Sequence, residues 1–109
     1  MIPRHANELL SRLEDVANVG CTVINRNLLL HWYGQERLTV GIWRDIQEKW
    51  NEVLDQSALP DKKVRLLAAE GDGYLTFIWG DGLTTDETWF KVVSNLAAVR
   101  KLSKYADDD

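Results

Sequence analysis

The 109-residue chain has little of the chemistry from which common active sites are built. It contains one cysteine, Cys21, and two histidines, His5 and His31. A single cysteine excludes an internal disulfide and fits a reducing compartment. Neither histidine has partners at a metal or catalytic spacing, and no phosphate-loop, zinc-protease or nucleophile-elbow motif is present. We therefore expect a protein that is not an enzyme and uses no cofactor and no metal. A small enzyme with an unrecognised site is the third alternative.

Long apolar runs and an excess of positive charge are also missing. No stretch approaches the roughly 18 apolar residues of a membrane span, and the N-terminal segment lacks the apolar core of a signal peptide. These features predict a cytoplasmic protein with no membrane contact. The formal net charge is −4, whereas nucleic-acid binding usually depends on a basic field. Nucleic acid is therefore not the expected partner.

The composition is that of one globular domain. Hydrophobic residues make up 45% and charged residues 28% of the chain, close to the average for soluble domains. A chain of this length buries enough surface to fold without a disulfide or a metal. We predict a single α+β domain over residues 1–105, followed by a disordered acidic tail at 106–109.

The spacing of apolar residues predicts three helices. At a helical period the apolar side chains share one face over residues 3–19, 39–55 and about 84–105. Gly20 supplies an exit for the first helix, and Thr39 is a candidate N-cap for the second. Trp43, Ile46 and Trp50 are expected on the buried face of the second helix.

The segments between the helices predict antiparallel strands. In residues 21–33 the apolar side chains point in every direction at a helical period, so we predict a hairpin with its turn at residues 25–27. Residues 64–69 and 74–79 predict a second hairpin. The expected order is helix–hairpin–helix–hairpin–helix, with antiparallel strands packed on helices.

The triplet Gly-Asp-Gly occurs at residues 71–73 and again at 80–82. Such triplets also occur in metal and phosphate loops. If residues 74–79 are extended, Asp72 and Asp81 are on the order of 30 Å apart, too far to share one ion. We interpret both triplets as turns that flank a strand.

Five tryptophans are many for a chain of this size. We expect three or four of them in the core. Tryptophan is also enriched at binding hot spots. Because His31 and Tyr33 give its neighbourhood an amphipathic rim, Trp32 is the residue that we predict to be an exposed anchor.

The polar face of the 39–55 helix is the other candidate for a binding surface. Glu48 and Glu52 form an i,i+4 pair of like charges, which helix stability alone disfavours. This pair predicts a protein partner with a basic patch. The candidate partner-binding residues are Trp32, Arg44, Asp45, Glu48, Asn51, Glu52 and Asp55.

These features together predict a non-enzymatic binding protein that acts by stoichiometric contact with another macromolecule, with a protein as the expected partner. Small, acidic, tryptophan-rich domains without a cofactor suit inhibitors, immunity-type proteins and accessory factors of phages or mobile elements. The element order also resembles a winged helix-turn-helix, so a DNA-binding transcriptional regulator is the alternative. Against it, the 39–55 helix and the turn at 70–73 are acidic. A homodimer through the C-terminal helix is a further alternative.

Overall fold

The structure is a computed structural model that describes residues 1–56, 64–80 and 91–97. These residues form four helices and four strands. In chain order they are α1 Pro3–Val19, β1 Cys21–Asn25, α2 Arg26–Tyr33, α3 Val40–Gln56, β2 Leu66–Gly71, β3 Tyr74–Trp79, β4 Lys91–Val92 and α4 Val93–Ala97. No helix within these ranges combines the length and the apolar content needed to cross a membrane.

The strands form one antiparallel sheet in the order β1-β3-β2-β4. Strand β3 lies between β1 and β2, so that Thr76 is opposite Val23 on one side and Ala69 on the other. Helix α1 packs against α3, β1 and β3, and α4 packs against α3 and β2. The predicted α+β domain, with antiparallel strands packed on helices, is confirmed.

Helices α1 and α3 lie where the apolar period predicts them. Gly20 ends α1 in the left-handed conformation (φ 111°), which a glycine adopts without strain. At the start of α3, the Oγ1 of Thr39 accepts a hydrogen bond from the backbone N–H of Ile42 at 3.3 Å. Thr39 is therefore the N-cap that the sequence predicts.

The predicted hairpin at residues 21–33 is wrong. Residues 21–25 form β1, which pairs with β3, and residues 26–33 form α2. The Oδ1 of Asn25 accepts hydrogen bonds from the backbone N–H groups of Asn27 (2.9 Å) and Leu28 (3.2 Å). Asn25 is therefore an N-cap rather than a turn residue. The apolar residues of this segment do not share one helical face, because the segment joins a strand, which has a period of two residues, to a helix, which has a period of 3.6 residues.

The second predicted hairpin is confirmed. Strands β2 and β3 pair from Leu66 opposite Trp79 to Gly71 opposite Tyr74. Between them, Asp72 (φ 51°) and Gly73 (φ 81°) both have positive φ, as a two-residue type I′ turn requires. The first Gly-Asp-Gly triplet is therefore a turn. The second contains Asp81, which lies outside the described residues.

The described part of the C-terminal segment is an edge strand followed by a short helix. Lys91 and Val92 pair with β2, and α4 begins at Val93. The prediction of a helix that already includes residues 91 and 92 is wrong, because pairing with β2 overrides the local apolar pattern. The predicted helix end near residue 105 and the tail at 106–109 lie outside the described residues.

One hydrophobic core lies between the sheet and the helices. Trp43 and Trp50 of α3 are buried in it, and Trp43 packs edge-on against Phe77 of β3 with ring centroids 6.4 Å apart. The indole N–H of Trp50 donates a hydrogen bond to the carbonyl of Val64 at 2.9 Å. These contacts fix the rotation of α3 about its axis, so its opposite face lies in solvent.

Candidate functional site

The exposed face of α3 carries a group of carboxylates. Glu48, Glu52 and Asp55 are all exposed, and at 3.6 residues per turn they fall within an arc of roughly 60°. About 10 Å along the helix axis separates Glu48 from Asp55. Within the described part of the chain, none of the three makes a side-chain hydrogen bond or an ion pair. We call Glu48, Glu52 and Asp55 the acidic face.

Trp32 is not part of this surface. The prediction that it is an exposed anchor is wrong, because it is 5% exposed and belongs to the core. Its position at the end of α2 brings its ring to 6.4 Å from that of His5 on α1, a contact that local sequence does not reveal. Trp79 is half-buried and packs against Trp50. Of the described tryptophans, Trp32, Trp43 and Trp50 therefore belong to the core, and Trp79 packs against it.

Asp45 lies beside the acidic face and takes part in a network that joins α2 to α3. The Tyr33 hydroxyl donates to Asp45 Oδ2 at 2.6 Å, and Lys49 Nζ donates to both carboxylate oxygens at 3.0 and 2.8 Å. Burial raises the pKa of Tyr33, and the hydrogen bond to Asp45 and its negative charge raise it further. The phenol therefore stays protonated and keeps its bond to Asp45.

Arg44 and Asn51 border the acidic face on the side of α4. Arg44 Nε donates a hydrogen bond to the carbonyl of Ala97 at 3.2 Å. The Oδ1 of Asn51 accepts a hydrogen bond from Gln47 Nε2 at 2.9 Å. Four of the seven predicted partner-binding residues, the acidic face and Asn51, thus form one exposed surface, with Arg44 at its edge.

On its other side the acidic face borders a groove between α1 and α3. The groove has a volume of about 180 Å³. Sequence analysis did not identify it, because its two walls meet only in the fold. Local sequence shows polar residues near the end of α1 but not what they face. The described residues that line the groove are Glu14, Ala17, Asn18, Val53 and Gln56.

The two histidines lie together at the start of α1 and the end of α2. The rings of His5 and His31 are 5.5 Å apart, centroid to centroid. Partial burial lowers the pKa of His5, and the neighbouring Arg4 and His31 lower it further. Across residues 1–56, 64–80 and 91–97, no group of three or more His, Cys, Asp and Glu side chains could hold a metal ion. In these ranges the pair thus lacks the third ligand that a zinc site requires.

The element order α1-β1-α2-α3-β2-β3 is also that of a winged helix-turn-helix domain. In that plan α3 would be the recognition helix and the β2–β3 turn would be the wing. Two features depart from it. The connection between α2 and α3, residues 34–39, is longer than the usual three- or four-residue turn. The wing tip carries exposed Glu70 and Asp72, and α3 presents the acidic face, so both elements repel phosphate.

No protein-family model, curated protein or solved structure matches the chain. The functional interpretation therefore depends on the geometry and the charge of the surface described above.

Proposed function

We propose that the chain is a non-enzymatic binding protein whose acidic face docks on a basic patch of another protein. The observation that carries this proposal is the exposure of Glu48, Glu52 and Asp55 on one side of a helix, without a partner in the described part of the chain. Complementary charge favours encounter with a basic surface and disfavours an acidic one. An inhibitor, an immunity-type protein or an accessory factor of a phage or mobile element would act in this way.

The rigidity of α3 supports the proposal. Its opposite face is buried through Trp43, Ile46 and Trp50, so the helix backbone that carries the three carboxylates is fixed before any partner arrives. A preorganised surface loses less conformational entropy on binding. The like-charge pair Glu48–Glu52 costs an isolated helix about 0.2–0.5 kcal/mol, a cost that a basic partner would offset.

Site-specific photocrosslinking tests the proposal. A photoreactive amino acid is placed at Asn51, beside the acidic face, and in a matched variant at Asn7, an exposed asparagine on α1. In cells that make the protein, we expect one dominant adduct from position 51 and none of the same mass from position 7. Mass spectrometry should map that adduct to a segment rich in Lys and Arg. Equal adducts from both positions, or an acidic or apolar mapped segment, would contradict the proposal.

A second candidate function, a DNA-binding regulator, is favoured by the winged element order alone. Fluorescence anisotropy with duplex DNA tests it, because phosphate contacts make affinity fall steeply with salt. The acidic face and the wing tip lead us to expect no measurable binding to random or genomic duplex at about 150 mM salt. A sequence-specific complex that Arg44→Ala abolishes would reverse the ranking of the two functions.

A further inference from the structure

Helices α1 and α3 run in the same direction, so their C-terminal ends lie at the same end of the molecule. Two grooves show this arrangement. The first lies among the start of α1, the end of α2 and the first half of α3, and the second lies between the ends of α1 and α3. Ala6 and Ile42 line a groove of about 450 Å³ near the helix starts, and Ala17 and Val53 line the groove of about 180 Å³ near the helix ends. The smaller groove is therefore placed between two helix C-termini.

The described residues at the ends of α1 and α3 create a negative potential for two independent reasons. Each helix contributes a partial negative charge at its C-terminus, where the last carbonyls lack helical partners. Neither α1 nor α3 has a basic residue in its last turn to offset that charge. Glu14 and Asp15 near the end of α1 and Asp55 near the end of α3 add carboxylates instead. A cation placed here would be stabilised by both the dipoles and the carboxylates.

The lining of the smaller groove has polar acceptors above an apolar floor. Val53 is 6% exposed, and Ala17 is half-buried beside it. The side chains of Glu14, Asn18 and Gln56 are exposed, and they form no side-chain hydrogen bond or ion pair across the described residues. The groove thus offers a carboxylate and two amide oxygens at its rim and a surface for methylene groups at its base.

We propose that this groove binds an arginine side chain of the partner protein, with the guanidinium between Glu14, Asn18 and Gln56 and the methylene groups on Ala17 and Val53. The inference rests on the proposed function, because the groove borders the acidic face and would take one residue of the same basic patch. Arginine fits better than lysine for a geometric reason. Its five donors lie in a fixed plane and can reach acceptors on two helices at once, whereas a lysine ammonium is a compact point charge.

A peptide titration followed by NMR tests the proposal on the purified protein. The probe is the blocked tripeptide acetyl-Gly-Arg-Gly-amide, with matched peptides that carry lysine or the neutral isostere citrulline. We expect saturable shifts of the side-chain amides of Asn18 and Gln56, with a Kd on the order of 1 mM for so small a ligand. Citrulline should give no saturable shift, and lysine should bind several-fold more weakly than arginine.

A pair of carboxylate variants identifies the site. Glu14→Gln removes the charge at the rim and should weaken arginine binding about tenfold, the usual scale of a charge-assisted hydrogen bond. Glu36→Gln makes the same change in the connection between α2 and α3, away from the groove, and should leave the Kd within about twofold. Both residues are exposed, so both variants should keep the wild-type spectrum elsewhere.

Three results would overturn the arginine site. They are equal affinity for the lysine or citrulline peptide, shifts spread over the acidic face without saturation, and no effect of Glu14→Gln. These results are separable from failure of the proposed function. Reversal of charge at Glu48 and Glu52 should leave the peptide Kd within a few-fold, because neither residue lines the groove. If crosslinking at Asn51 gives the expected adduct but the arginine peptide does not bind, the acidic face is supported as the partner-binding surface and the groove is not an arginine site.

Discussion

Replacing Trp50 by alanine should destabilise the protein more than any exposed substitution on α3. The side chain of Trp50 is 0% exposed and its indole N–H bonds to the carbonyl of Val64 at 2.9 Å. Its ring is also edge-on to that of Trp79, with centroids 6.1 Å apart. Removing a large buried aromatic costs about 3–5 kcal/mol, and leaving a buried carbonyl without its donor adds about 1 kcal/mol or more. We therefore expect a loss of about 4–6 kcal/mol, a large share of the roughly 5–15 kcal/mol that stabilises a typical domain.

The assay is urea unfolding followed by far-UV circular dichroism, with Trp50→Phe and Leu28→Ala as comparisons. Phenylalanine keeps most of the buried ring but loses the N–H, so Trp50→Phe should cost only about 1–3 kcal/mol. Leu28 is partly exposed, and its truncation should cost less than about 1 kcal/mol. The reasoning is refuted if Trp50→Ala costs below about 1 kcal/mol, because this face of α3 would then not be in the core.

Two further predictions concern local contacts. The pKa of Tyr33 is raised above its ordinary value of 10.0, so the folded chain keeps the phenol proton after the unfolded chain has lost it. The free energy of unfolding should then fall as pH rises above about 10. In alkaline urea titrations, the free energy of unfolding of Tyr33→Phe should fall less steeply with pH than that of wild type. Identical pH dependence in the two proteins would show that burial and Asp45 do not raise the pKa of Tyr33. Asn25→Ala removes the cap of α2 and should cost about 0.5–2 kcal/mol in urea unfolding, whereas Asn25→Ser should restore most of it; equal losses for both would argue against capping.

Much of the fold could be predicted because its signals are local. The apolar period of α1 and α3, the Thr39 cap and the Gly-Asp-Gly turn each lie within one element and depend on a few neighbouring residues. The structure of residues 21–33 could not be predicted, because a five-residue strand and an eight-residue helix follow each other without a break. Strand β4 could not be predicted, because two residues become a strand only through pairing with β2.

The candidate site also has parts that local sequence predicts and parts that only the fold brings together. The like-charge pair Glu48–Glu52 is four residues apart on one helix, so the sequence alone places both on the same face. Burial of Trp32 depends on packing at the end of α2 against α1, and the groove depends on α1 lying beside α3. Arg44 and Asp45 are in the predicted set, but their bonds to Ala97 and Tyr33 come from elements distant in sequence.

The measurement that tests the account most directly is the affinity of charge-reversed variants for the partner identified by crosslinking. Glu48→Lys with Glu52→Lys reverses two charges on the acidic face. Glu8→Lys with Glu36→Lys makes the same change in net charge elsewhere and breaks only the exposed ion pair between Glu8 and Arg12. Both variants should remain folded by circular dichroism. Calorimetry at about 150 mM salt should show the first variant bound at least tenfold more weakly and the second within about threefold of wild type. If the first variant binds as tightly as wild type, the acidic face is not the binding surface.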